Sequence, residues 1–284
     1  MNKKQRNMML IIFGVIAIIL LAGIFLTSGT GGEEEDVQVV MRDAVLHDVY
    51  RINFLGIEIN PALAAGFCVT GILSIFAIII RIFVIPKFTI VPGRFQMILE
   101  TAVGYFNNLA KTNSPHLNRI LGGYIFAAGL YIFVGTMFEL FGFQAVTTAG
   151  TSVALPAPLA DINGAIMMGC TSYLFILTGG IAVNGFKGVL LTLKEFSLPI
   201  SMSFRLFGAL LSGALVTELV YHYTALSYVL PVIVGVLFTC IHALVQAYVL
   251  TMLVALFYGE VSEKSEPKVK TPKVPKASRK ELAA

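Results

Sequence analysis

Charged side chains are scarce in this sequence: Asp, Glu, Lys and Arg make up 13% of its 284 residues, whereas 57% of the residues are hydrophobic. So few charges cannot cover the surface of a water-soluble domain. The apolar residues also fall into long runs, and a helix needs about 20 mostly apolar residues to cross a hydrocarbon core roughly 30 Å thick. Several runs reach that length, which predicts an all-α polytopic membrane protein.

Cysteine is scarce as well, with Cys68, Cys170 and Cys240 as its three representatives. They are odd in number, they lie inside apolar runs, and their spacing is not that of metal ligands. We therefore expect them to be core residues. The sequence also lacks a Ser/His/Asp constellation, a zinc motif and a phosphate-binding loop, so we expect no cofactor and no catalysis by this chain alone.

The excess of basic residues lies mainly at the C-terminal end of the chain. Seven of the 20 basic residues follow Glu260, in a segment that is interrupted by proline and contains no aromatic residue. A nucleic-acid surface would need a folded basic face with aromatic side chains. We predict that residues 261–284 form a disordered basic tail in contact with anionic lipid, and that the protein binds no nucleic acid.

The N-terminal segment, residues 1–27, begins with three basic residues in its first seven and continues as 20 apolar residues without a charge. That apolar length exceeds the usual 7 to 15 residues of a cleavable signal peptide, which favours an uncleaved anchor. Both alternatives place the next segment outside the cytoplasm. Residues 28–60 contain a Gly/Ser/Thr run and an acidic block, and we expect them to form an outer linker.

Residues 61–260 are expected to form the membrane domain. Its first span, 61–85, begins with proline, and the basic cluster of Arg81, Lys87 and Arg94 marks its far end as cytoplasmic by the positive-inside rule.

The chain then continues with an amphipathic pattern from Arg94 to Lys111, in which apolar residues recur at helical spacing. It predicts a helix on the cytoplasmic membrane surface. Two further spans follow at 120–141 and 161–184.

The last two apolar segments are longer than a perpendicular span requires. Residues 199–230 and 231–259 would be about 48 and 43 Å long as helices, against a hydrocarbon core of roughly 30 Å. We expect a hairpin of two slanted helices. The count becomes six spans plus one surface helix, with both termini cytoplasmic if the first segment is uncleaved.

One arginine stands inside this predicted hairpin. Arg205 and Glu218 are its two formally charged residues, and a charge near the bilayer centre costs at least about 2.5 kcal/mol, which points to function. At 100° per residue, one helix face combines the arginine with small side chains. A neighbouring helix can approach such a stripe closely. Because no acidic residue lies within two helical turns of Arg205, we expect the anion that pairs with this arginine to come from another subunit. The stripe consists of Ser201, Gly208, Ala209 and Ser212.

Further polar residues are expected at one level of the membrane. Glu218 and His222 are related as i, i+4, and so are His242 and Gln246 on the next helix. With the turn of the hairpin placed outside, these groups share the outer half of the membrane with the helix-end residues Glu139 and Asp161. Their coincidence suggests a hydrated passage that opens outward, although Asp161 is also an expected N-cap.

The hairpin closely resembles the two C-terminal helices of subunit a of F-type ATP synthases. The resemblance rests on PISMSFRLFGALLSGALV, residues 199–216, and HALVQAYVLTMLVALFYGE, residues 242–260. Weaker similarity covers the first span, the surface helix with Gln96 and Glu100, and LADINGAI at 159–166, so that about 50–260 is included. The chain departs from the family's usual pattern at Ala209, where asparagine is common, and at Ala214, where an acidic residue or histidine is common.

This resemblance implies a stator subunit that passes protons, or Na⁺ in some members, through two offset half-channels to and from carboxylates on a ring of c subunits. Arg205 matches the family's essential arginine, which draws a ring carboxylate and prevents a short-circuit, and Gln246 matches its companion glutamine. The implied partners are the c-ring, the peripheral-stalk b subunits, other ATP synthase subunits and membrane lipid, in a bacterial plasma membrane.

Two other classes of function remain open from the sequence. An independent transporter or channel would use Arg205 for an anionic substrate, although neither an inverted repeat nor paired broken helices are visible. A redox protein would use His222 and His242, at similar distances on either side of Pro231, as haem ligands.

Overall fold

The computed structural model describes residues 52–54, 57–148, 150, 152–222 and 230–263, together with three isolated positions near the N-terminus. The predicted anchor, most of the outer linker and the basic tail therefore lie outside the described residues. Within them the fold is helical, as the apolar runs predicted, with two small antiparallel hairpins at one end.

The first hairpin and the first helix join at a capped boundary. Strands β1 (Ile52–Phe54) and β2 (Ile57–Ile59) pair with Phe54 opposite Ile57. Helix α1 (Pro61–Ile79) then begins because the Asn60 side chain accepts a hydrogen bond from the backbone N–H of Ala62 at 3.0 Å and proline occupies the first turn. The helix continues through a π-helical turn, Ile80–Val84, and a 3₁₀ turn, Ile85–Lys87.

The next two helices match the predicted amphipathic helix at 94–111 and the predicted span at 120–141, while the position of the amphipathic helix on the membrane surface stays a prediction. Helix α2 (Arg94–Asn113) is anchored through Ala110, while most of its other side chains are exposed or half-buried. Helix α3 (Asn118–Phe138) ends in a 3₁₀ turn, Glu139–Phe141. Strands β3 (Gln144–Val146) and β4 (Ser152–Ala154) follow as a second antiparallel pair.

The remaining helices build most of the core. They are α4 (Ile162–Asn184), the short α5 (Phe186–Lys194), α6 (Ser197–His222) and α7 (Leu230–Ser262). At 1.5 Å per residue, the 26 residues of α6 and the 33 of α7 extend about 39 and 50 Å, so the predicted pair of over-long helices is confirmed. The prediction placed their boundaries at 199–230 and 231–259 and contained neither α5 nor the two β-hairpins.

Five segments of the described chain are long and apolar enough to cross a membrane. The sixth predicted span is the N-terminal segment, which is not among the described residues. Large apolar side chains on these helices face outward, such as Ile75 at 60% exposure, as lipid-facing side chains do. The five segments are Pro61–Lys87, Asn118–Phe141, Ile162–Asn184, Ser197–Thr217 and Val232–Ser262.

The expectation that the cysteines are core residues is wrong. Cys68 and Cys170 are exposed, and Cys240 is half-buried. In a membrane protein an apolar sequence does not distinguish the core from the lipid-facing surface, because both are apolar.

Close packing fixes the helix that carries the arginine. A Cβ atom added at Gly169 of α4 would collide with the Ser203 side chain and the Pro199 carbonyl of α6, so glycine permits this approach of the two helices. On its inner face α6 buries Met202, Leu206 and Leu210 at four-residue intervals.

The C-terminal end of α7 is tied to two other helices. The Asn184 amide, at the end of α4, donates to the carbonyl oxygens of Val261 at 2.9 Å and Glu263 at 2.7 Å. The hydroxyls of Ser114 and Ser262 lie 3.1 Å apart and share a hydrogen bond. These contacts fix the axial position of a helix that is longer than the membrane is thick.

Candidate functional site

Arg205 lies eight residues into α6, about 12 Å along the axis from Ser197, and within an apolar segment long enough to span the membrane. Its side chain is exposed, because burial of the inner face of α6 turns position 205 outward. In the described part of the chain it has no acidic partner. A fixed positive charge is therefore presented at the outer surface of the helix bundle.

The predicted small-residue stripe lies on the same open surface. Ser201, Gly208 and Ser212 are exposed, Ala209 is half-buried, and a Cβ atom at Gly208 would have no described neighbour within 4 Å. Among the described residues, no helix packs against the stripe. It leaves room for an external helix beside the arginine.

Gln246 joins the second helix of the hairpin to the arginine position. Its side chain is 5% exposed, and its Nε2 donates to the backbone carbonyl oxygen of Arg205 at 3.1 Å. Its Oε1 is buried and has no hydrogen-bond partner among the described residues. An unsatisfied buried acceptor costs about 1 to 3 kcal/mol, which points to a role other than stability.

A small polar cavity lies between α3, α6 and α7. Its volume is about 10 Å³, near the size that holds one water molecule. The Gly213 backbone makes room for the imidazole, since a Cβ atom there would lie 3.3 Å from Nδ1 of His242. The polar side chains that line the cavity are Thr136, Glu139, Thr217, Thr239 and His242.

The structure thus brings Glu139 and His242 to one cavity and places Asp161 at another. Asp161 stands at the N-cap position of α4, but its side chain makes no capping hydrogen bond. It lines a separate cleft of about 450 Å³ with Asn60, Asn163 and Tyr131.

Glu218 and His222 belong to α6, but their side chains lie outside the described part of the structure. The i, i+4 pair and the possible haem ligation by His222 therefore stay predictions. Sequence reasoning missed the threonines of the cavity. A signal was present, because Thr136 and Glu139, and likewise Thr239 and His242, are spaced i, i+3 on their helices or helix ends.

Together these features define an all-α integral membrane protein in which one membrane-spanning helix exposes a face made of an arginine and small residues. The family model for the ATP synthase A chain matches residues 65–259, and the chain belongs to this family.

Similar proteins carry the name ATP synthase subunit a. That of Cereibacter sphaeroides (strain ATCC 17025) is 26% identical over 181 residues, which are 59% of this chain and 69% of that protein. That of Beijerinckia indica is 23% identical over 229 residues, 74% of this chain and 90% of its own length. That of Haemophilus influenzae is 25% identical over 231 residues, 68% and 87% of the two lengths.

As a member of this family, the chain is a membrane subunit of the proton-translocating sector of an ATP synthase. It is not catalytic alone and works with the c-ring and with other subunits such as b.

Proposed function

We propose that this subunit passes protons to and from carboxylates of the c-ring through two laterally offset half-channels, with Arg205 between them. The observation that carries the proposal is an exposed arginine, without a described acidic partner, on a small-residue face of a membrane-spanning helix. A carboxylate carried past on the ring supplies the missing anion.

The arginine separates the two half-channels by its charge. A guanidinium stays protonated in proteins, so it cannot relay a proton, and it repels a hydronium ion while it attracts a carboxylate. Each unit charge that crosses the membrane yields about 2.3 kcal/mol per 100 mV. A direct leak past Arg205 would dissipate that energy without rotation of the ring.

Gln246 is proposed to position the guanidinium. Its Nε2 fixes the backbone at Arg205, while the free Oε1 is an acceptor that suits a guanidinium N–H donor. The hydrogen bond from Nε2 links α7 to α6. The Oε1 acceptor is proposed to hold the Arg205 guanidinium in place while no ring carboxylate faces it.

The polar cavity of Glu139, Thr217 and His242 is proposed as part of the outer half-channel. Glu139 and His242 are both able to gain and lose a proton, and one water molecule would connect them. His242 also lies one helical turn before Gln246, so the cavity leads toward the arginine.

Three further residues are proposed to belong to the outer half-channel. Glu218 and His222 follow the cavity-lining Thr217 along α6, toward the outer end. Asp161 lines its own cleft and is proposed to act only at the entrance.

The orientation follows from the charges at the helix ends. Lys87, Arg94 and Lys194 are exposed in connections at one end, which the positive-inside rule assigns to the cytoplasm of a bacterial plasma membrane. The ion-translocating domain then covers 61–260, between the N-terminal anchor and the basic tail.

Replacement of the arginine tests the proposal directly. Arg205→Ala should abolish proton-driven ATP synthesis and ATP-driven pumping in membrane vesicles, while the complex still assembles. Arg119→Ala, at another exposed arginine, is the matched control and should keep both activities.

Retained coupling in Arg205→Ala would contradict the assignment. Transport by the purified subunit alone in liposomes would instead favour an independent transporter or channel.

A further inference from the structure

Helix α4 packs closely against α6 just before the arginine. A Cβ atom added at Gly169 would collide with the Ser203 side chain and would lie 2.7 Å from the carbonyl oxygen of Pro199. Ser203 precedes Arg205 by two residues, about 3 Å along the axis of α6. This contact fixes the level of the arginine relative to α4.

The other end of α4 is bonded to the end of α7. The Nδ2 of Asn184, the final residue of α4, donates to the backbone carbonyl oxygens of Val261 at 2.9 Å and Glu263 at 2.7 Å. Carbonyls at a helix C-terminus lack partners within the helix, and the two N–H donors of one amide supply them here. Earlier in α4, Gly179 leaves room for the buried ring of Tyr258, so the two helices run in the same direction.

Equal lengths of α4 and α7 connect these contacts to the arginine. From Gly169 to Asn184, α4 advances fifteen residues, about 22 Å. From Gln246 to Val261, α7 also advances fifteen residues. The position of the α7 end relative to α4 therefore sets whether Gln246 is level with Arg205.

Lipid by itself holds α7 at one depth only loosely. The 33 residues of α7 extend about 50 Å against a hydrocarbon core of roughly 30 Å, and the bilayer opposes such a mismatch only weakly. The Nε2 of Gln246 reaches the Arg205 carbonyl at 3.1 Å. A slide of α7 by one residue rise, about 1.5 Å, would lengthen and tilt this hydrogen bond.

We propose that Asn184 is a positioning residue for ion translocation, which holds α7 at the depth where Gln246 meets Arg205. The inference rests on the proposed function, because Asn184 acts through the role assigned to Gln246. Without the Asn184 amide, α7 takes up other depths and the Oε1 of Gln246 moves away from the guanidinium. Protons then pass the arginine without rotation of the ring.

Asn184→Leu tests the proposal in the assembled complex, because leucine removes both donors from a side chain of similar size. The number of protons pumped per ATP hydrolysed in inverted vesicles should fall about fivefold, the effect of one typical hydrogen bond on an equilibrium. Asn113→Leu is the matched control. Asn113 ends α2, but its amide donates within α2, to the Leu109 carbonyl at 2.8 Å, so this variant should keep full coupling. Full coupling in Asn184→Leu would overturn the proposal.

A disulfide at the same end of α7 should replace the lost hydrogen bonds. The hydroxyls of Ser114 and Ser262 lie 3.1 Å apart, so the pair Ser114→Cys/Ser262→Cys should form a disulfide that fixes α7 to the end of α2. With Asn184→Leu in the same chain, coupling should be normal while the disulfide is closed and should fall about fivefold after reduction. With Asn184 in place, reduction of the same pair should leave coupling unchanged.

The complex is assembled with the disulfide closed and reduced afterwards, so the result does not depend on the folding of Asn184→Leu alone. Coupling that survives reduction would overturn the proposal. So would coupling that stays low while the disulfide is closed, because Asn184 would then act by something other than its hold on the α7 end.

Two further measurements separate the role of Asn184 from that of Gln246. The rate of disulfide formation in Ser114→Cys/Ser262→Cys reports the position of the α7 end without ion transport, and Asn184→Leu should slow it about fivefold. In the Gln246→Met background, Asn184→Leu should cause no further loss of coupling, whereas the losses of independent sites would multiply.

An unchanged rate of disulfide formation, or a multiplied loss of coupling, would overturn the role of Asn184. A slower rate together with full coupling in Gln246→Met would leave the hold of Asn184 on α7 standing and refute the function proposed for Gln246. The two failures are therefore distinguishable.

Discussion

Gln246→Met should separate the function of Gln246 from its contribution to stability. The substitution removes one hydrogen bond to the Arg205 carbonyl, worth about 0.5 to 1.5 kcal/mol. It also removes a buried acceptor that has no described partner, which costs about 1 to 3 kcal/mol. Since methionine has a similar length, the net change in the free energy of unfolding should lie between about 0.5 kcal/mol of destabilisation and about 2.5 kcal/mol of stabilisation.

Coupling should nevertheless fall in this variant, because the arginine loses the side chain proposed to position it. We expect proton-driven ATP synthesis in inverted vesicles to drop about tenfold, which corresponds to about 1.4 kcal/mol. Thermal unfolding of the purified complex measures stability in parallel. The expected pattern is unchanged or higher thermal stability together with poor coupling.

Thr251→Val is the matched control on the same helix. Thr251 is also buried, but its hydroxyl donates only within α7, to the carbonyls of Ala247 and Tyr248. This variant should keep full coupling. Full coupling in Gln246→Met, or a marked loss of stability without loss of coupling, would refute the reasoning.

Two further variants test the outer cavity and the small-residue face. Glu139→Gln should lower proton flux through the complex about tenfold or more, because the amide cannot gain and lose a proton. Asp161→Asn, at the separate cleft, should have a smaller effect. Equal losses of flux in the two variants, measured by fluorescence quenching in vesicles, would argue against different roles for the cavity and the cleft. Gly208→Leu should block approach of the ring and abolish coupled pumping. Gly71→Leu, at a second position with open space, should be tolerated. Normal pumping by Gly208→Leu would mean that no helix packs against position 208.

The described membrane helices were predictable from the lengths of their apolar runs. In hydrocarbon a backbone must satisfy its own hydrogen bonds, so a long apolar run has little alternative to a helix. The start of the first span at Pro61 was also predicted, because the preference of proline for the first turn of a helix is local. The two β-hairpins lie in connections outside the spans, where water satisfies the backbone and this constraint disappears.

The orientation of the helices was less accessible from sequence. The cysteines illustrate the difficulty: Cys170 lies in an apolar run, yet it faces a surface groove. Hydropathy sorts residues between water and lipid, but it assigns no preference between lipid and a protein interior. For Arg205 and its small neighbours, in contrast, helical spacing alone placed them on one face, because that relation is local to α6.

The sequence by itself determined that this is an α-helical membrane protein, how many described segments can span the bilayer, and that one hairpin helix carries an arginine among small residues. Only the tertiary structure decided that no described helix covers this face, that Gln246 contacts the arginine backbone, and that Glu139 and His242, 103 positions apart, line one cavity. The first set depends on solvent preference and helical periodicity, which act locally along the chain. The second depends on how closely distant helices approach, as at Gly213, and that distance is fixed by packing over the whole bundle.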